Sequence, residues 1–174
     1  GSIKLHGIDR MHERPQFELF QALRMLGYHV DAADDKLPAV IHGTGSHKAS
    51  CKVSLSESSQ FASALLLCSD AGGWSVDFTG ANLDEAPYVR MTQELIDGFP
   101  KGGGTFVIEP DASSGSYFLG ANSLGADVKV ANWPITEWQV DAQFTRFITA
   151  PREVSRRVDL GDSIITSIVL APLA

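Results

Sequence analysis

Two stretches of this chain repeat the same order of local signals, and that order limits the folds open to it. Ser58-Ser59 and Ser113-Ser114 each head an apolar run, while Leu26-Gly27 and Leu124-Gly125 each close one just before a β-branched segment. A serine hydroxyl accepts from the orphan N–H groups of a first helical turn, and glycine readily takes the left-handed conformation that ends a helix. Helix and strand signals therefore alternate as a weak internal repeat. The pattern predicts an α/β fold built from similar units.

Taken in order, Ile3-Lys4-Leu5 reads as a short strand. Pro15 suits a first helical turn, with Phe17, Phe20, Leu23 and Leu26 as the stripe that follows. Short strands are predicted at Tyr28-His29-Val30, Ala39-Val40-Ile41 and Cys51-Lys52-Val53. Residues 57–68 pass from a polar segment, Glu57-Ser58-Ser59-Gln60, into a helix whose buried face is expected at Phe61, Ala64, Leu65 and Cys68, capped by Ser56 or Ser58. Residues 74–79 alternate as a half-buried strand. Asp84-Glu85 should open a helix with Pro87 in its first turn and Val89, Thr92, Ile96 and Phe99 along one side. The glycine run 101–104 is the expected boundary between a partial first lobe, residues 3–104, and a partial second lobe, residues 105–174. Strands at 105–108 and 128–130 are predicted to flank the helix headed by Ser113-Ser114. A helical segment at 139–148, a charged strip at 152–157 and an apolar run at 164–173 follow, with Asp162 or Ser163 where an N-cap belongs.

A formal charge of −7 with no long basic tract argues against nucleic acid and membrane surfaces as partners. No apolar run reaches membrane-spanning length, no secretory signal is read, and Gly1-Ser2 looks like a cloning remnant. An anionic ligand must then be held by local arginines, hydroxyls and helix ends. Cys51 and Cys68 suit neither a disulfide framework nor a zinc pair, so a reducing, cytoplasmic setting and two small buried hydrophobes are expected. His42 and His47 lack supporting ligands, so no metal is expected. The N–H groups behind Ser58 and Ser59 make a ready phosphate or carboxylate site. A capped core helix without a ligand explains the same residues.

Three segments together are more specific. Arg10-Met11-His12-Glu13-Arg14-Pro15, Ser58-Ser59-Gln60-Phe61 and the run from Glu109-Pro110-Asp111-Ala112-Ser113-Ser114 to Leu119 resemble, in this order, segments of the 5-enolpyruvylshikimate-3-phosphate synthase family. Pro87-Tyr88-Val89-Arg90-Met91-Thr92, Gln139-Val140-Asp141 and Gly161-Asp162-Ser163 fit the same family in sequence. The resemblance implies enolpyruvyl transfer from phosphoenolpyruvate to the 5-hydroxyl of shikimate 3-phosphate, with release of phosphate, in aromatic amino-acid biosynthesis. It also implies a two-lobed inside-out barrel of repeated units, helices inside and sheets outside, only part of which is present. Carried over by residue, Ser58 and Ser59 would bind the substrate phosphate, Gln60 would lie against the ring and the enolpyruvyl group, and Tyr88 would contact the same substrate. Arg10 would pair with phosphoenolpyruvate, and Asp162 would be the acid–base group at the attacking hydroxyl. No cofactor is implied, and the family expectation is a monomer.

Each assignment has a structural competitor: an Arg10–Glu13 ion-pair strip, half-buried packing for Tyr88, N-caps for Asp162 and Asp111. The sequence also departs from the family. Members are more than twice as long, most other phosphoenolpyruvate ligands have no counterpart here, Glu85 stands where a serine is usual, and the connections at 99–105 and 148–152 are short. The chain alone is therefore expected not to turn over. The competing functions are the sister transferase acting on a UDP-linked amino sugar and a non-catalytic phosphate-binding fragment.

Overall fold

The computed structural model describes residues 1–56, 58–80, 86–148 and 153–173. By packing, the chain divides into two compact units, Gly1–Asn82 and Leu83–Ala174. Expectations placed on Glu57, Asp84, Glu85 and Arg152 lie outside the described residues. The glycine run 101–104 lies inside the second unit, and the lobe boundary placed there concerns the whole family fold.

In the first unit, β1 (Ser2–Leu5), β2 (His29–Ala32) and β3 (Ala39–His42) form an antiparallel sheet in the order β1-β3-β2. Helices α1 (Asp9–Glu13) and α2 (Phe17–Met25) lie between β1 and β2 in the chain. Alternation along β2 and β3 turns Val30 and Ala39 inward, where they pack with Phe20 of α2, and Leu19, Leu23, Leu37 and Ile41 join them. Helix α2 starts two residues beyond Pro15 and ends before Gly27, whose φ of 88° completes the predicted stop.

Strands β4 (Ala49–Ser54) and β5 (Trp74–Thr79) pair in parallel, joined by α3 (Gln60–Gly72). Parallel neighbours need a crossover of this length, so β4-α3-β5 is a βαβ unit. The face α3 buries is Ala62, Leu65 and Leu66; of the predicted stripe Phe61, Ala64, Leu65 and Cys68, only Leu65 is fully buried. Cys51 is buried as expected, whereas Cys68 is exposed. Nearly every position from 61 to 68 is apolar, so two adjacent stripes satisfy the helical period and only packing selects one.

The second unit is helical among its described residues: α4 (Ala86–Gly98), α5 (Ala112–Asn122), α6 (Phe144–Phe147) and α7 (Ile164–Leu170), with tight 3₁₀ turns at Val140–Gln143 and Gly161–Ser163 and a wider π-helical turn at Arg156–Leu160. The expected strands at 105–108 and 128–130 form no regular secondary structure and pair with no described strand. Val107 and Ile108 are 82% and 80% exposed, while Phe106 stacks on Trp138 and the Val128 backbone bonds to the Asn122 side chain; without a partner strand neither segment has ladder bonds. Helix α5 buries its small residues, Ala112, Gly115, Ser116 and Gly120. These let α7 approach closely enough for the Ser116 and Thr166 hydroxyls to hydrogen-bond at 2.8 Å, and a Cβ at Gly120 would meet Thr166 Cγ2 at 2.8 Å.

Candidate active site

The residues singled out from the sequence fall into two groups, one on each unit. On the first unit, Ser58 Oγ accepts from the Gln60 backbone N–H at 3.2 Å, so Ser58 supplies the predicted capping hydroxyl. Ser59 is the last residue before α3; its side chain makes no cap and it is 5% exposed, while Gln60 is exposed. The head of α3 thus offers one covered serine, one partly open serine and one open amide. Arg10 lies on α1, its side chain 80% exposed and 3.4 Å from Glu13. The ion-pair alternative therefore describes its present contact, and such an exposed pair is worth at most about 1 kcal/mol.

On the second unit Tyr88 and Asp162 do come together. They line one hollow of about 250 Å³, with Pro87, Met91, Asp111, Gln139 and Asp141 among its walls. Tyr88 stands in the first turn of α4, its hydroxyl buried close to Asp162 but without a well-formed hydrogen bond among the described residues. Burial first, then the charges of Asp141 and Asp162, push the phenol well above its ordinary range, and Arg156 opposes them. The Arg156 guanidinium lies 5.9 Å from the Tyr88 ring centre. It donates to Asp162 Oδ1 through Nη2 at 2.8 Å and Nε at 3.2 Å. Tyr88 and Asp162 therefore line the hollow, and Arg156 adjoins both.

The N-cap role open to Asp162 or Ser163 is filled from elsewhere. Asp141 Oδ1 accepts from the Ser163 N–H at 2.6 Å, and Ser163 Oγ donates to the Leu160 carbonyl. Neither Asp162 nor Ser163 caps α7 with its side chain, which leaves Asp162 to Arg156 and the hollow. Gly161 permits this arrangement. Its φ of 53° is one that L residues rarely adopt, and a Cβ there would meet Asp141 Oδ2 at 2.5 Å and Val140 Cγ1 at 2.6 Å. Burial pushes the Asp141 carboxyl up, against the Ser163 N–H that pulls it down, and the Asp162 charge adds to the rise. The resemblance makes Asp162 the acid–base group. Its side chain is 51% exposed, and the carboxylate that is buried is Asp141.

Asp111 is the N-cap of α5. Its Oδ1 accepts from Ser113 N and Ser114 N at 3.0 and 3.3 Å, and its Oδ2 accepts from Ser114 Oγ at 2.6 Å. Sequence reasoning gave Asp141 no role beyond its motif, and it held Arg156 only within a charged strip. Gln139-Val140-Asp141 was a usable signal for the first; nothing in the sequence distinguishes Arg156 from Arg157.

By fold the class is an α/β protein, with a polar hollow lined by Tyr88, Gln139 and the carboxylates of Asp111, Asp141 and Asp162. The sequence profile of EPSP synthase (3-phosphoshikimate 1-carboxyvinyltransferase) matches residues 1–102, and the chain belongs to that family. Relatives bearing the name 3-phosphoshikimate 1-carboxyvinyltransferase include one from Laribacter hongkongensis, 35% identical over 95% of this chain and 43% of its own length. One from Ralstonia pickettii is 34% identical over 83% of this chain and 39% of its own length. One from Cupriavidus necator is 32% identical over 95% and 44%, respectively. The chain thus spans roughly two-fifths of the length of these relatives. What it contains is part of the family's α/β fold.

Proposed function

We propose that the whole protein transfers the enolpyruvyl group of phosphoenolpyruvate to the 5-hydroxyl of shikimate 3-phosphate and releases phosphate, in the cytoplasm and as a monomer. Family membership is the observation that carries this reading. The lobe boundary at 101–104 belongs to the same proposal. Ser58 and Ser59 bind the substrate phosphate, with the positive end of α3 behind them. Gln60 lies against the ring and reaches the enolpyruvyl group. Arg10 exchanges its exposed partner Glu13 for the anionic oxygens of phosphoenolpyruvate, for which a planar guanidinium is well shaped.

The hollow of the second unit supports the acceptor side of the reading. Tyr88 carries a buried hydroxyl without a well-formed hydrogen bond among the described residues, and Asp162 offers a carboxylate beside it. A ligand hydroxyl serves both, accepting from Tyr88 and donating to Asp162. As the hydroxyl oxygen attacks, its proton passes to Asp162, which Arg156 holds in place through Nη2 and Nε. The reading calls for no cofactor, because the developing charge is negative and fixed basic groups offset it.

Calorimetry and a phosphate-release assay on this chain test the proposal. The chain is expected to bind shikimate 3-phosphate and to release no phosphate from the substrate pair, since Arg10 and Gln60 are the only phosphoenolpyruvate ligands assigned within it. Ser58→Ala should weaken binding by about tenfold or more, the loss of one hydrogen bond to a charged group. Tyr88→Phe should weaken it without altering the fold. Preference for a UDP-linked amino sugar, or shikimate 3-phosphate binding indifferent to both substitutions, would overturn the assignment. Turnover near that of a complete enzyme would overturn the incompleteness.

A further inference from the structure

The three-stranded sheet carries, on the face away from its core, a group of side chains that the proposed reaction does not use. His29 on β2 and His42 on β3 are register partners, and Asp31 lies two residues beyond His29 on the same face. Val30 and Ala39 point the other way, into the core, so the backbone beneath the cluster is fixed by the ladder and by packing. Asp31 bridges the two rings: Oδ1 is 2.8 Å from His29 Nε2 and Oδ2 is 2.8 Å from His42 Nε2. The ring centres are 5.2 Å apart, and one ligand atom from each residue lies within 4.8 Å of the other two. On its far side, His42 Nδ1 is 2.8 Å from Ser2 Oγ.

We propose that His29, Asp31 and His42 form a binding site for a divalent transition metal of the zinc class. Two imidazoles with one carboxylate suit zinc, cobalt, nickel or copper, whereas magnesium and calcium prefer all-oxygen shells. Bonds of about 2.0–2.1 Å at tetrahedral angles place ligand atoms about 3.3 Å apart, so the cluster must close by about 1.5 Å at most. The three side chains are exposed or half-exposed, at 71%, 57% and 39%, and have room to do so. A carboxylate accepts only, so each Nε2 now carries a proton toward Asp31, and the ion takes the place of those protons. The fourth position faces solvent.

The test is titration of the tag-free chain with Zn²⁺ by calorimetry, with Co²⁺ absorption as a report on geometry and thermal melts with and without metal. One equivalent of Zn²⁺ should bind and raise the melting temperature, and Mg²⁺ should do neither. His29→Gln, His42→Gln and Asp31→Asn should each weaken binding by about tenfold or more and abolish the stabilisation. Because all three lie on the outer face, circular dichroism should be unchanged. His6→Gln is the control, since His6 and His12 form a second ring pair with centres 4.7 Å apart. The assignment fails if Zn²⁺ neither binds nor stabilises, if His6→Gln removes the first equivalent, or if His29→Gln and His42→Gln bind as the parent does.

Discussion

Asp141 gives up most of its solvent on folding and Asp111 keeps much of its own, so the two carboxylates respond to pH in opposite directions. For Asp141 the folded state holds a proton more tightly than the unfolded one. The folded state therefore binds more protons in the window from the ordinary value of 3.8 up to the raised one, and stability falls as pH rises through it. For Asp111 the Ser114 hydroxyl, with the N–H groups of Ser114 and Ser113, lowers the folded value against the opposing effect of burial. Its contribution is complete above 3.8 and is lost as pH falls through the lowered value. Asp141→Asn keeps an oxygen for the Ser163 N–H and removes the buried charge. In urea melts from pH 4 to 7 this variant should gain stability relative to the parent as pH rises. A relative loss on the same ramp would mean that the charge, and not only the acceptor, holds the start of α7.

At the scale of elements, α5 tests how far a cap written in sequence decides a helix. Its buried face is made of small residues that contribute little apolar area, so the cap carries an unusual share of its stability. Asp111→Ala should cost about 0.5–2 kcal/mol, read as a lower denaturant midpoint with an unchanged slope. Asp111→Asn should recover much of it; equal loss in both variants would point to the hollow rather than the helix end. Asp111 reads from the sequence as an N-cap, and the geometry displays the cap. Local chemistry of this kind was legible because donor and acceptor lie two or three residues apart. The strands at residues 3–5, 28–30, 39–41, 51–53 and 74–79 were legible for the same reason, each being short and bounded by turn residues. What packing decides was not: the choice between the two stripes of α3, the burial of Asp141 from 22 residues away, and the register that sets His42 against His29 rather than beside His47.

For the chain as a whole, the informative surface is apolar. Helix α3 buries Ala62, Leu65 and Leu66 on one side and leaves Leu67 57% exposed on the other; α7 leaves Ile165, Ile168 and Val169 at 55%, 63% and 64%. A leucine or isoleucine is worth about 1.5–3 kcal/mol when fully buried, so these positions retain free energy that folding of this chain does not use. Apolar faces on this scale are places where more protein packs, and the relatives are more than twice as long as the part this chain matches. That also accounts for the unpaired segments 105–108 and 128–130: their sequences have strand character, but no described strand offers them a ladder. The chain in its native state should therefore bind a hydrophobic dye such as ANS. Leu67→Glu and Ile168→Glu each replace an outward side chain, so together they should lower the fluorescence severalfold while circular dichroism and the melting temperature stay near the parent's. Dye binding that survives both substitutions unchanged, in a protein that still melts cooperatively, would place the open apolar surface elsewhere than on α3 and α7.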